Sequence, residues 1–302
     1  MVIKNKARKN FIWNALGLTF NSFNSLFFLI IVELINGLDV AGIFTYAFSL
    51  CCLFYVLSIY YNRTFQVSDK HNRFSFSDYL TARLVLSVVS LILIVVFSLI
   101  SQFDGYKILV IFLIMLFRVV ESISDCFYGF IQKKGDLYKT GVSLTLKAVI
   151  GLAGFLILDL MTGNLLFSII SLIVINLLFF WCYDFKNYRK LTDEEISFEL
   201  KNVCKIIKKC FPVFVFSALS IYLANCQKYV MTYYEPNDVQ TIFGILIMPA
   251  TILSLAGSYL INPFTNKMTE MVCSNNNNRI DEFSLLSKKI ILIFFIAMLS
   301  IN

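Results

Sequence analysis

Arg118, Glu121 and Asp125 stand at i, i+3 and i+7 within an otherwise apolar run, so in a helix they share one stripe. An arginine in such a place attracts an anionic group, and carboxylates there bind H+ or Na+. The same spacing permits an internal Arg118–Glu121 pair that pins the run to its neighbours. A second stripe, Asn10, Asn14, Asn21 and Asn24, lies in the first apolar run. Its amides can hydrogen-bond sugar hydroxyls, or bond helices to one another. Arg83, Lys147 and Lys228 are the remaining basic residues inside apolar runs. They suit a polar cavity, or they lay their stems along lipid and reach the headgroups.

The elements that must carry these residues are membrane spans. Of 302 residues, 58% are apolar and 15% charged, against about 25% charged in a soluble domain, and the apolar residues fall in blocks. A hydrocarbon core needs about 20 apolar residues in a helix. Eight runs meet that length: Phe11 to Ile35, Val40 to Tyr61, Leu80 to Ile100, Tyr106 to Ile131, Gly141 to Met161, Leu165 to Tyr183, Phe211 to Tyr234 and Thr241 to Ile261. A ninth begins at Lys289 and holds only Ile290 to Ile301, too short to span, so a C-terminally truncated chain is expected.

All but five of the 26 basic residues lie in the N-terminal segment and the even-to-odd loops. The exceptions are Lys107 in an opposite loop and Arg83, Arg118, Lys147 and Lys228 in spans. This asymmetry predicts a cytoplasmic N-terminus. The fold class expected is an all-α integral membrane protein, a polytopic helix bundle with eight full spans and a partial ninth. It divides into a six-span bundle over 1–183, a linker over 184–210 and an incomplete second bundle over 211–302. In the linker, Ile196, Leu200, Val203, Ile207 and Cys210 recur at helical spacing behind a Thr192/Glu195 capping-box pattern. That predicts an amphipathic helix on the cytoplasmic leaflet.

Several classes of function are disfavoured. The net charge of +7 sits between apolar blocks rather than on a water-facing surface, which argues against a nucleic-acid partner. A single histidine, His71, supplies no metal cluster or catalytic triad, and the order of Lys139 and Thr140 breaks a phosphate-loop pattern. The expected outer loops are short, against an enzyme that must hold donor and acceptor sugars there. No metal, cofactor or enzymatic activity is expected; H+ or Na+ is the candidate coupling ion.

Several short stretches point to one family. They are Phe65 to Asp69; Glu121 to Asp125 running into Tyr128 to Lys133; Ser143 to Lys147; Ile242 to Gly244 with Met248 to Ala250; and Asn262-Pro263. With the hydropathy layout, they make the chain resemble the Wzx-type polysaccharide repeat-unit flippases, whose superfamily includes the MATE exporters and the lipid II flippases. The resemblance covers the whole chain, against the first three quarters or so of such a protein. It implies a bacterial inner-membrane protein of about twelve spans in two bundles. Such proteins move undecaprenyl-diphosphate-linked oligosaccharide, such as an O-antigen repeat unit, by alternating access through a cationic cavity. Partners would be that lipid-linked oligosaccharide, membrane lipid and other polysaccharide-assembly proteins.

On this reading Arg118, with Lys147 or Arg83, draws in the diphosphate, Asn14, Asn21 and Asn24 meet sugar, Lys228 lines the passage, and Glu121 and Asp125 hold the coupling ion. A MATE-like antiporter of small organic cations stays open, although four in-span bases against two acids disfavour it. A membrane glycosyltransferase or polymerase is the third reading.

Overall fold

The computed structural model describes residues 2–60, 62–69 and 73–250, and among these only helices and their connections occur. The order is α1 (Val2–Asn36), α2 (Leu38–Ile59), α3 (Asn62–Ser68), α4 (Phe76–Ile100), α5 (Gly105–Lys133), α6 (Leu137–Thr162) and α7 (Leu165–Phe179). A π-helical turn (Phe180–Phe185) then leads into α8 (Lys186–Arg189), α9 (Val203–Tyr234) and α10 (Asn237–Leu246). The first of two units, residues 1–243, holds α1 to α9 and most of α10; of the second, 244–302, only 244–250 are described.

Local chemistry sets the helix ends. Ser75 and Asp78 form a reciprocal capping box at the start of α4, with Asp78 N donating to Ser75 Oγ at 3.1 Å and Ser75 N to Asp78 Oδ2 at 2.8 Å. The Asp104 carboxylate caps α5 and the Asn164 amide caps α7. Gly163, at φ +57°, stops α6 in the left-handed conformation that glycine tolerates.

Six helical stretches are long and apolar enough to cross a membrane: Arg8–Asn36, Leu38–Ser68, Phe76–Ile100, Leu137–Thr162, Leu165–Arg189 and Val203–Tyr234. Each contains one of the runs expected from sequence. The remaining long helix, α5, carries Arg118, Glu121 and Asp125 through its middle and so falls short on composition rather than length. The eighth expected run lies mostly, and the ninth wholly, outside the described residues.

Outward faces carry Ile92, Leu99, Leu160, Met161 and Leu223, all more than half exposed. The interior by contrast holds polar residues: Ser58, Ser87, Ser90, Ser122 and Ser143 are buried, and Ser58 links Ser87 at 2.6 Å and Ser122 at 2.9 Å across α2, α4 and α5. Apolar outside and polar within is the arrangement that lipid selects, because an outward hydroxyl has no water to bond. Over its described residues the chain is all-α, with the long apolar helices of a membrane protein.

The linker departs from expectation. Residues 191–202 are not helical, and α9 begins only at Val203. The segment's polar groups are committed elsewhere: Thr192 Oγ1 accepts from Glu194 N, Ser77 Oγ from Ser197 N at 3.1 Å, and Asp78 Oδ1 from Asn202 Nδ2 at 3.1 Å. Strapping to the start of α4 outweighs the helical periodicity, and Phe198 and Leu200 remain exposed.

α1 packs along α6, α6 along α7, and α5 touches α2, α4 and α7. The α1–α6 crossing is backbone to backbone: a Cβ on Gly17 would lie 2.6 Å from Gly141 O, and one on Gly141 would collide with Trp13. α1 carries one wall of the site, so this crossing matters beyond stability. Gly141→Leu is expected to force α1 away from α6 and to destabilise the protein by about 1–3 kcal/mol or more. Thermal unfolding in detergent measures this; an unchanged midpoint would contradict the close crossing.

Candidate functional site

A partly open cavity of about 130 Å³ lies among α1, α2, α3, α5, α6 and α7. That is several times the space one water needs, and about the scale of a small anionic headgroup rather than an oligosaccharide. Its walls include Asn21, Asn24, Tyr55, Arg63, Glu121, Ser124, Asp125, Tyr128, Lys147 and Asn176, with Leu18, Phe28, Phe117, Leu144, Ala148 and Leu172 between them.

Helical spacing on α5 delivers the largest single share of the polar wall, since Glu121, Ser124, Asp125 and Tyr128 fall on one face. Opposite them, α6 contributes Lys147. Its ammonium has all three protons placed, on Ser124 Oγ at 2.8 Å, Tyr128 Oη at 3.1 Å and Asp184 Oδ2 at 2.6 Å. Ser143 Oγ donates to the other Asp184 oxygen at 2.6 Å, and the Tyr128 and Ser143 hydroxyls lie 2.9 Å apart. Lys147 is 7% and Asp184 1% exposed, so this pair is buried in protein and does not reach outward through lipid.

Asp125 serves two guanidinium groups, Arg63 at 2.8 Å and Arg83 at 3.1 Å. Arg63 also donates twice to Gln132 Oε1. Arg83 is fully buried, with Ser122 Oγ as a second, longer contact at 3.5 Å. Arg118 pairs with Glu121 at 2.6 Å, the internal pair that the spacing allowed. Its guanidinium lies 4.5 Å from the ring centre of Phe48 and 5.3 Å from that of Tyr55, contacts that stabilise a cation away from water.

The structure thus brings together Asn21, Asn24, Lys147, Glu121 and Asp125 on one cavity, with Arg83 and Arg118 behind its carboxylates. Asn24 Nδ2 donates to Ala148 O at 3.2 Å, which ties it partly to structure. Two members of the proposed set lie elsewhere. Asn14 is outside the cavity walls, at the α1–α6 crossing, where its backbone abuts Gly141. Lys228 on α9 is also absent from these walls; its carbonyl accepts from Gln240 Nε2 at 3.2 Å. Asn10 bridges Gly135 O and Tyr138 N, a structural use.

Sequence reading missed Arg63, Tyr128, Ser143 and Asp184. Arg63 read as a loop residue, but α3 carries it under α5. Asp184 read as the start of a linker. The π-helical turn, with one extra residue in the turn, sets Asp184 among Tyr128, Ser143 and Lys147, and such turns recur at functional sites. Counting paired partners, the cluster holds four cations (Arg63, Arg83, Arg118, Lys147) and three carboxylates (Glu121, Asp125, Asp184) among the described residues. It is closer to neutral than the sequence count of four to two. A further carboxylate, Asp159, is fully buried and accepts from Asn36 and Ser168.

Comparison with protein-family models, curated proteins and solved structures finds no match. Asp125→Asn leaves Arg83 with no counter-charge at 0% exposure and is expected to destabilise the protein by about 3–5 kcal/mol. Pairing it with Arg83→Met should recover most of that loss. Equal thermal midpoints for Asp125→Asn and the unsubstituted protein would show that the shared carboxylate is not what holds α3, α4 and α5 together.

Proposed function

We propose that the protein is a membrane transporter of the flippase type. It moves an anionic, polyprenyl-diphosphate-linked oligosaccharide from the cytoplasmic to the outer leaflet of a bacterial inner membrane by alternating access. The observation that carries this reading is a polar cavity, walled by Lys147, Arg63 and the α1 asparagines, inside a bundle whose outer surface is apolar. A buried polar wall in lipid needs a reason, since each unpaired hydroxyl or amide costs about 1–3 kcal/mol or more. A path for a sugar headgroup supplies one, because the same groups replace water around the substrate.

In this reading α5 is a seventh span, tolerated in lipid because its charges face partners within the bundle. The basic loops face the cytoplasm. The Lys147 ammonium and the Arg63 guanidinium attract the diphosphate, and Asn21 and Asn24 offer donors and acceptors to hydroxyls. No bond is made or broken in the substrate, so the protein is not read as an enzyme. Glu121 and Asp125 are each held by guanidinium groups, so a coupling ion there competes with Arg118, Arg63 and Arg83. One observation favours a second reading, a MATE-like exchanger of small organic cations: Asp184, paired with Lys147 beside the cavity, raises the carboxylates of the charged cluster to three.

In cells whose surface polysaccharide depends on this protein, Lys147→Ala is expected to lower repeat-unit export by about tenfold or more. Export is read as surface polysaccharide, with cytoplasmic-leaflet lipid-linked oligosaccharide accumulating. Unchanged export at normal protein abundance would contradict the flippase reading. Loss of resistance to organic cations with export intact would favour the exchanger.

A further inference from the structure

Every cation at the cavity is already engaged by a carboxylate of the protein, so an incoming anion meets a site that is occupied rather than waiting. We infer that Asp184 is an internal stand-in for the ligand's anionic group: it occupies Lys147 when the cavity is empty and must be displaced for a diphosphate diester to bind. The inference rests on the anionic-substrate reading above and names the residue that regulates that site.

Three features single out Asp184 from the other carboxylates. Glu121 shares a helix with its partner Arg118 three residues away, so the two move together. Asp125 bridges two guanidinium groups from different elements and cannot leave one without stranding the other. Among the described residues Asp184 has one cationic partner, and that partner, Lys147, lines the cavity while Asp184 itself does not. It therefore lies outside the cavity walls, while Ser124 and Tyr128, which accept the other two ammonium protons, line them.

The backbone that carries Asp184 is suited to such a displacement. It belongs to the π-helical turn Phe180–Phe185 between two α-helical stretches, and a π turn that closes to α geometry changes the direction of its side chains. A displaced Asp184 keeps neutral donors, since Ser143 Oγ and the Tyr128 hydroxyl already reach it. Lys147 in turn keeps Ser124 and Tyr128 and exchanges one carboxylate oxygen for one phosphoryl oxygen. The number of bonds to the ammonium is unchanged, so the exchange depends on the difference between two anions rather than on creating a new site.

An internal competitor lowers apparent affinity by the fraction of time the site is free, and removing it restores that factor. The probe is the symmetrical dimethyl ester of diphosphate, titrated into the full chain in lipid nanodiscs. Asp184→Asn is expected to bind it about tenfold more tightly than the unsubstituted protein, and Lys147→Gln more weakly than either. Asp184→Asn binding no more tightly, with Lys147→Gln still weakened, would overturn the stand-in role while leaving the anionic reading intact. No binding by the unsubstituted protein or by Asp184→Asn would overturn both.

Should Asp184→Asn fail to fold, Asp184 can be left in place and its displacement read from Trp181. This tryptophan lies in the same π turn, its ring 5.3 Å from Phe185. In a Trp13→Phe background it is the one tryptophan of the chain. Saturating probe is expected to shift its emission, and the shift is expected to vanish in Lys147→Gln. Probe binding with unaltered Trp181 emission would contradict displacement of the turn.

Discussion

A charge inside a lipid-embedded bundle must be paired or fully hydrogen-bonded, and that constraint organises this molecule. Arg83, fully buried, is tolerated because Asp125 stands 3.1 Å away; Lys147, because Asp184 stands 2.6 Å away. Removing either carboxylate exposes the full desolvation penalty of its partner. The pairs also determine which elements must be neighbours: Asp125 ties α5 to α3 and α4, and Lys147 with Asp184 ties α6 to the π turn that follows α7, across Tyr128 of α5. The serine contacts among α2, α4 and α5 add direction without charge.

The same pairing shapes the proposed transport. A cavity lined with free cations would hold an anion tightly and release it slowly, whereas one whose cations are already neutralised holds it by a difference between similar interactions. Weak net binding is what a carrier needs at each end of its cycle. The cavity in this structure has headgroup dimensions, so an attached oligosaccharide requires the walls to separate. α1, which meets α6 through glycines and carries Asn21 and Asn24, forms one of those walls.

Much of the fold was legible in the sequence because lipid imposes a simple code. The first seven apolar runs fall, over their described residues, almost wholly on helices, and Arg118 and Glu121 pair as their spacing within one helix allows. The linker was misread because periodicity reports only the apolar side of a segment, while Ser197 and Asn202 bond to α4, a tertiary contact with no local signature. Asp184 and Arg63 escaped for a related reason. Each follows an apolar run and looks like the start of a loop, and a π turn in one case and a short helix in the other return them to the interior. Asn14 and Lys228 show the converse: a polar residue in an apolar run need not face the cavity.

The central claim is that water reaches a polar cavity enclosed by an apolar shell. Single cysteines at Asn21 and Leu144, which line the cavity, and at Ile92, which faces outward, can be introduced after replacing the eight native cysteines and challenged with a charged, membrane-impermeant thiol reagent. Labelling at Asn21→Cys and Leu144→Cys with none at Ile92→Cys is the predicted result. Labelling at Ile92→Cys while the two cavity positions stay unreactive would contradict it.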